Sequence, residues 1–122
     1  MLVTINGTEY TVKFGIAFIR QLDEKYFVKN QSGVKFGTGL ETKVPMLLTG
    51  DAVTLSEFIY MGTCTDEKRP SQKEVDNYVD EAEDIEELFD TVVDELKKHN
   101  ATRLKMKELL EALEKQPGAA KK

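Results

Sequence analysis

Three glycines, Gly33, Gly37 and Gly39, fall within the stretch SGVKFGTGLET, Ser32 to Thr42. Glycine-rich turns that open a helix can point backbone N–H groups at a phosphate. The P-loop version needs G-x-x-x-x-G-K-[ST], with the lysine reaching the phosphates. Gly33 and Gly37 are too close together for that pattern. With Gly39 as the second glycine, Val34 stands in place of the first, and Leu40 and Glu41 occupy the Lys and Ser/Thr positions. A glutamate there repels phosphate. The dinucleotide pattern G-x-G-x-x-G also fails, because Thr42 stands where its third glycine belongs.

Other chemistry is equally thin. One cysteine, Cys64, and one histidine, His99, cannot supply a thiolate or imidazole zinc set. The acidic run DEAEDIEELFD lacks the glycine and oxygen spacing of a calcium loop. No nucleophile elbow or papain-like signature surrounds Cys64, and nothing in the sequence pairs it with His99. No pair of carboxylates is singled out for acid–base work. The sequence therefore assigns no catalytic residue, no metal ligand and no cofactor-binding residue.

The glycines fit better as shapers of a bend that starts a helix. Thr38 and Glu41 have capping-box spacing, and Gly37 and Gly39 give the backbone room. The helix is expected from about Gly39 to Leu48, short, kinked or broken at Pro45. Upstream, MLVTINGTEYTVKF reads as a hairpin around Asn6-Gly7, with Val3 opposite Tyr10 and Ile5 opposite Thr8. Met1, Val3, Ile5, Tyr10, Val12 and Phe14 then share one face. The helix carrying Phe18, Ile19, Leu22 and Tyr26 is its natural cover, and VKNQSG follows as a polar turn.

Downstream the pattern is helical. Asp51 and a Thr54–Glu57 box are start signals for a helix with a Leu55, Phe58, Ile59 stripe, ended by Gly62. Ser71–Glu74 and Asp84–Glu87 are further boxes, which favours two helices across 71–98 over one. After Asn100, Met106, Leu109, Leu110 and Leu113 lie on one face, with Leu104 out of phase. These five are the candidate partner-binding residues, because an apolar helix near a terminus packs on its own body or docks in another protein's groove. The expected fold is α+β, an N-terminal β-hairpin packed on a mostly α-helical domain of about five or six helices. One domain is expected over residues 1–116, followed by a flexible tail at 117–122.

A formal charge of −5 over 122 residues disfavours nucleic acid as a partner. Charge is unevenly placed: Glu74–Glu95 holds eleven acids and no base, and Lys97–Lys107 holds five bases and no acid. The acidic block reads as a solvated helix face that could also steer a basic partner. No run of about 18 apolar residues occurs, so no membrane partner is expected, and the N-terminus has no signal-peptide pattern.

The order of pieces INGTEYTVKFGIAFIRQLDEKY, GVKFGTGLETKVPMLLTGDAVTLSEFIYMGT, RPSQKEVDNYVDE and LFDTVVDELKKHNATRLKMKEL resembles the tail assembly chaperones of long-tailed phages and prophages of Gram-positive bacteria. The likeness runs from Leu2 to about Leu113. It implies a non-enzymatic protein of the host bacterial cytoplasm, absent from the mature virion. Such a protein binds the tape measure protein, keeps it soluble and promotes polymerisation of tail tube protein around it. In many members a ribosomal frameshift gives a longer product of the same gene, so this sequence would be the short form, with Lys121-Lys122 near the slip. A holdase of this kind also tends to form homo-oligomers when its client is absent. The rival readings are a small acidic regulatory or inhibitor protein that binds a basic partner and, as third choice, an enzyme.

Overall fold

Asn6 and Gly7 take φ of 52° and 80°, the left-handed pair a two-residue hairpin turn demands. They join β1 (Leu2–Ile5) to β2 (Thr8–Thr11), antiparallel, with Val3 opposite Tyr10 and Ile5 opposite Thr8. The register is the expected one, and it buries Val3, Ile5, Tyr10, Val12 and Phe14. The computed structural model describes residues 1–115, so the expected tail at 117–122 lies outside the described residues.

Six helices follow: α1 (Ile16–Lys25), α2 (Gly39–Leu48), α3 (Ala52–Gly62), α4 (Gln72–Asp80), α5 (Ile85–Lys98) and α6 (Asn100–Lys115). The mostly helical α+β fold stands as expected. A second hairpin, β3 (Phe27–Lys29) and β4 (Lys35–Gly37), joins α1 to α2. This corrects the reading of VKNQSG as a plain turn. Cover for the first hairpin is shared: α1 sets Phe18 against Phe14, as expected, and α4 also packs on β1. α1 lies in turn against α2 and α3. Lys13 N–H donates to the Gly62 carbonyl at 2.8 Å, which ties the hairpin's exit to the end of α3.

The core is organised around α3. Leu55, Phe58 and Ile59 are fully buried, and so is Thr54, with Ser56 and Glu57 nearly so. A helix covered almost all round must sit between other elements, and α1, α2, α4 and α5 surround this one. Phe18 bridges Phe14 and Phe58 edge-on, with ring centroids 5.0 and 5.2 Å away. Edge-to-face pairs add about 0.5–1.5 kcal/mol each beyond the area they bury.

Helix starts show where local spacing decides and where it does not. At α4 the capping box forms in full: Ser71 Oγ accepts from Glu74 N–H at 3.1 Å, and Glu74 Oε1 accepts from Ser71 N–H at 3.0 Å. Asp84 caps α5 by accepting from Glu87 N–H at 3.0 Å, so residues 71–98 form two helices, as expected. The Thr38–Glu41 box does not form; Asp23 of α1 accepts from Gly39 N–H at 2.9 Å instead. Thr54 and Glu57 lie inside α3, where Thr54 donates its hydroxyl to Asp51 at 2.6 Å. Pro45 is accommodated inside an unbroken ten-residue α2. Replacing Ser71 by alanine should cost about 1 kcal/mol of stability, read as a lower urea midpoint with an unchanged slope. The Thr38→Ala change should leave that midpoint in place.

Candidate interaction surfaces

The second hairpin is rooted by a buried carboxylate. Glu57 on α3 accepts from Tyr26 Oη at 2.8 and 2.9 Å and from Lys25 Nζ at 2.6 Å. Lys43 Nζ of α2 stands 3.9 Å from it and over the Tyr26 ring at 5.1 Å. Lys25 and Tyr26 immediately precede β3, so Glu57 holds the arm's base against α2 and α3. The Glu57 hydrogen bond holds the Lys25 ammonium above its usual pKa, against some desolvation. Burial, then the same carboxylate, raises the Tyr26 phenol. Sequence spacing assigns Glu57 to a cap; only the packing reveals it as an anchor.

Beyond that root every residue from Phe27 to Gly37 is exposed. The register sets Val28 opposite Phe36 and Lys29 opposite Lys35. Alternation therefore puts Val28 and Phe36 on one face, and Val34 follows on the same side by parity. They are 56%, 51% and 50% exposed, which makes an apolar face that the described residues leave open. On the other face Lys35 Nζ sits 4.2 Å from the Phe27 ring centre, a cation–π contact that shields that ring. In the loop, Asn30 Oδ1 accepts from Ser32 and Val34 N–H groups at 2.9 and 3.0 Å, and Gly33 takes φ of 83°. Two runs of aromatic and β-branched residues, flanking Asn30–Gly33, are the signal for this hairpin in the sequence.

The five candidate residues of α6 separate into three groups. Met106 is fully buried and Leu109 packs against the core. Leu110 and Leu113 are half-buried and stand outside the core cluster. Leu104 is 73% exposed on the opposite side. The apolar stripe of α6 therefore runs on beyond the core cluster that takes in Met106 and Leu109. That half is fixed by Thr102, whose hydroxyl donates to the Leu96 carbonyl at 2.5 Å, and by the Lys105–Glu41 ion pair at 3.1 Å.

A groove of about 620 Å³ lies between the end of α2 and α5. Half-buried Leu48, Phe89 and Val93 line it, with Glu86, Asp90, Asp94 and Lys97 around them. Glu86, Asp90 and Asp94 recur every four residues, so they form one acidic line along α5. None of the three makes an ion pair among the described residues.

Cys64 and His99 are not joined by any hydrogen bond among the described residues. His99 Nε2 faces Glu95 at 3.5 Å and its ring meets Phe14 edge-on, while Cys64 N–H donates to the Met61 carbonyl at the end of α3. Among the described residues no three His, Cys, Asp or Glu side chains converge as a metal set, and no helix is long and apolar enough to cross a membrane.

An α+β body that carries an apolar arm and a helix stripe outrunning its own core has the features of a protein that works through contact with other polypeptides. The family follows from comparison. The model described as phage tail assembly chaperone protein, TAC, matches residues 2–111, and the chain belongs to that family. Membership implies protein partners in tail assembly and a non-enzymatic role. No curated protein and no solved structure matches the chain.

Proposed function

We propose that this protein binds the tape measure protein of a long-tailed phage in the bacterial cytoplasm and keeps it soluble. It then promotes polymerisation of tail tube protein around that client, and leaves before the virion is complete. The observation that carries this reading is α6: a stripe that begins at buried Met106 and runs on to half-buried Leu110 and Leu113, which stand outside the core cluster of the described residues. A client helix laid along the last turns would complete the seam, as helix-in-groove recognition requires. Leu110 and Leu113 touch the client, Met106 and Leu109 hold α6 in place, and Leu104 makes a second contact where the client wraps the far side.

Half-covered leucines contribute about 1 kcal/mol each when fully desolvated, so Leu110→Ser with Leu113→Ser should weaken the complex about thirtyfold. Co-expression with the tape measure protein reads this directly, as loss of the client from the soluble fraction. Binding that survives moderate salt supports an apolar seam. Binding that salt abolishes while the double variant keeps full affinity would favour the acidic-inhibitor reading, in which the α5 carboxylates hold a basic partner.

A further inference from the structure

We propose that the groove between the starts of α1 and α6 docks a short segment of a partner polypeptide in which an acidic residue stands beside branched apolar ones. The groove holds about 580 Å³ and presents mostly apolar surface. Gly15, Ile16 and Ala17 line it from α1, with buried Phe18 behind them, and His99, Asn100 and Ala101 line it from α6. Ile16 is 62% exposed there, whereas Phe18 and Leu22 of the same helix are fully buried. A concave apolar site of this size suits a few side chains of a ligand.

The charges identify the occupant's chemistry. Lys13 also lines the groove, and its stem lies over Gly15: a Cβ on that glycine would stand 3.3 Å from Lys13 Cε. The lysine therefore lies at the N-terminal end of α1, where the helix dipole favours a carboxylate over an ammonium. It makes no ion pair among the described residues. No acid stands in the first turn of α1 or α6, and none lines the groove, although acids outnumber bases 22 to 17 in the chain. Glu95, which faces His99 at 3.5 Å, already pairs with the N-terminal ammonium at 3.3 Å. A cation at the wrong end of a helix, beside an open apolar surface, is complemented by a partner's carboxylate with apolar neighbours. The carboxylate would meet Lys13, and the neighbours would cover Ile16 and Ala101. A bare phosphate would leave Ile16 in water and use only half of the site.

This groove is separate from the seam proposed for the client. Ala101 and Leu110 are about 14 Å apart along the axis of α6, and Leu110 and Leu113 do not line the groove. The two proposals therefore stand or fall separately.

Amide NMR titration of the full-length chain is the test, with a capped synthetic peptide LDDIL as probe. Its amide twin LNNIL and inorganic phosphate are the comparisons. LDDIL should shift the amides of Ile16, Ala17, Asn100 and Ala101, and LNNIL should bind about tenfold more weakly for want of the charge. Lys13→Glu and Ile16→Ser change exposed side chains, and each should weaken LDDIL about tenfold as well. Lys13→Glu should also melt no lower than wild type, because it puts the favoured charge at the start of α1. Leu110→Ser with Leu113→Ser should leave LDDIL binding unchanged, which separates this groove from the client seam. Absence of shifts at those four amides with millimolar LDDIL overturns the proposal. So does equal binding of LNNIL, or full affinity in Lys13→Glu. Phosphate alone reproducing the shifts would mean a bare anion site and would overturn the polypeptide partner.

Discussion

Replacing Glu57 by alanine should lower the stability of this protein by about 3 kcal/mol, as expected when one member of a buried charge cluster is removed. The two lysines around Glu57 differ in exposure, and that sets the magnitude. The Lys25 side chain is 58% exposed and can turn to water; the Lys43 side chain is only 10% exposed. Lys43 would then be buried with no carboxylate within ion-pair distance among the described residues, its remaining contacts including Met46 Sδ at 3.3 Å and the Tyr26 ring. The Tyr26 hydroxyl loses both acceptors as well. Glu57→Gln keeps an acceptor for Tyr26 and should cost less. Urea unfolding gives the global loss. Hydrogen exchange should show the amides of the hairpin opening more than those of α4, since Glu57 holds the arm's base.

The same cluster predicts an alkaline limb. Lys25 is held above its ordinary 10.5, chiefly by the Glu57 hydrogen bond, and Tyr26 above its ordinary 10.0 by burial and then Glu57. A raised pKa means that the folded state holds its proton where the unfolded chain has begun to lose it. This contribution to stability is therefore complete below the ordinary values and is lost as pH rises through the raised ones. Wild-type stability should fall with pH from about 10 upward, and the fall should be shallower in Glu57→Gln. Equal slopes in the two proteins would show that Glu57 does not couple to either group.

The parts of this fold that were legible in the sequence are those whose causes are local. Asn6-Gly7 declares its turn because few residue pairs accept two positive φ values in a row. Ser71 and Glu74 cap α4 because both partners of the box lie within one turn. Asp84 separates α4 from α5 for the same reason. What failed was spacing whose partners proved to be distant. Thr38 and Glu41 have box spacing, yet Asp23, sixteen residues earlier, takes the first N–H of α2. Thr54 and Glu57 have it too, but packing buries both within α3, and Glu57 is met there by side chains from α1, its C-cap and α2. The candidate site was half visible for a related reason. Periodicity located the α6 stripe, but it cannot say where the covering body ends, so Met106 and Leu113 looked alike. The hairpin arm stayed hidden because runs of three residues between a helix and polar turn residues carry little periodic signal.

Gly39→Ala should be the other costly substitution, at about 2–4 kcal/mol, the sum of overpacking and a lost helix cap. A Cβ at Gly39 would stand 2.5 Å from Leu22 Cγ and 2.9 Å from Asp23 Oδ1. Leu22 is fully buried and has no room to retreat, so the start of α2 must move off α1. That shift breaks the Gly39–Asp23 hydrogen bond, the cap that replaced the expected Thr38–Glu41 box. Gly37 is tight against the same aspartate, its Cβ falling 2.3 Å from Asp23 Cγ. Gly33 is different: nothing lies within 4 Å of its Cβ, and only its φ of 83° resists a side chain. Gly33→Ala should then cost about 1 kcal/mol, the strain of a left-handed residue. Urea midpoints should therefore rank Gly39→Ala well below Gly33→Ala, with Gly37→Ala destabilised through Asp23. Trimming the obstacle tests the cause. In a Leu22→Ala background the Gly39 substitution should lose much of its effect, because two groups that share one space are not additive. Additive costs in that cycle would mean that contact with Leu22 is not why a glycine stands there.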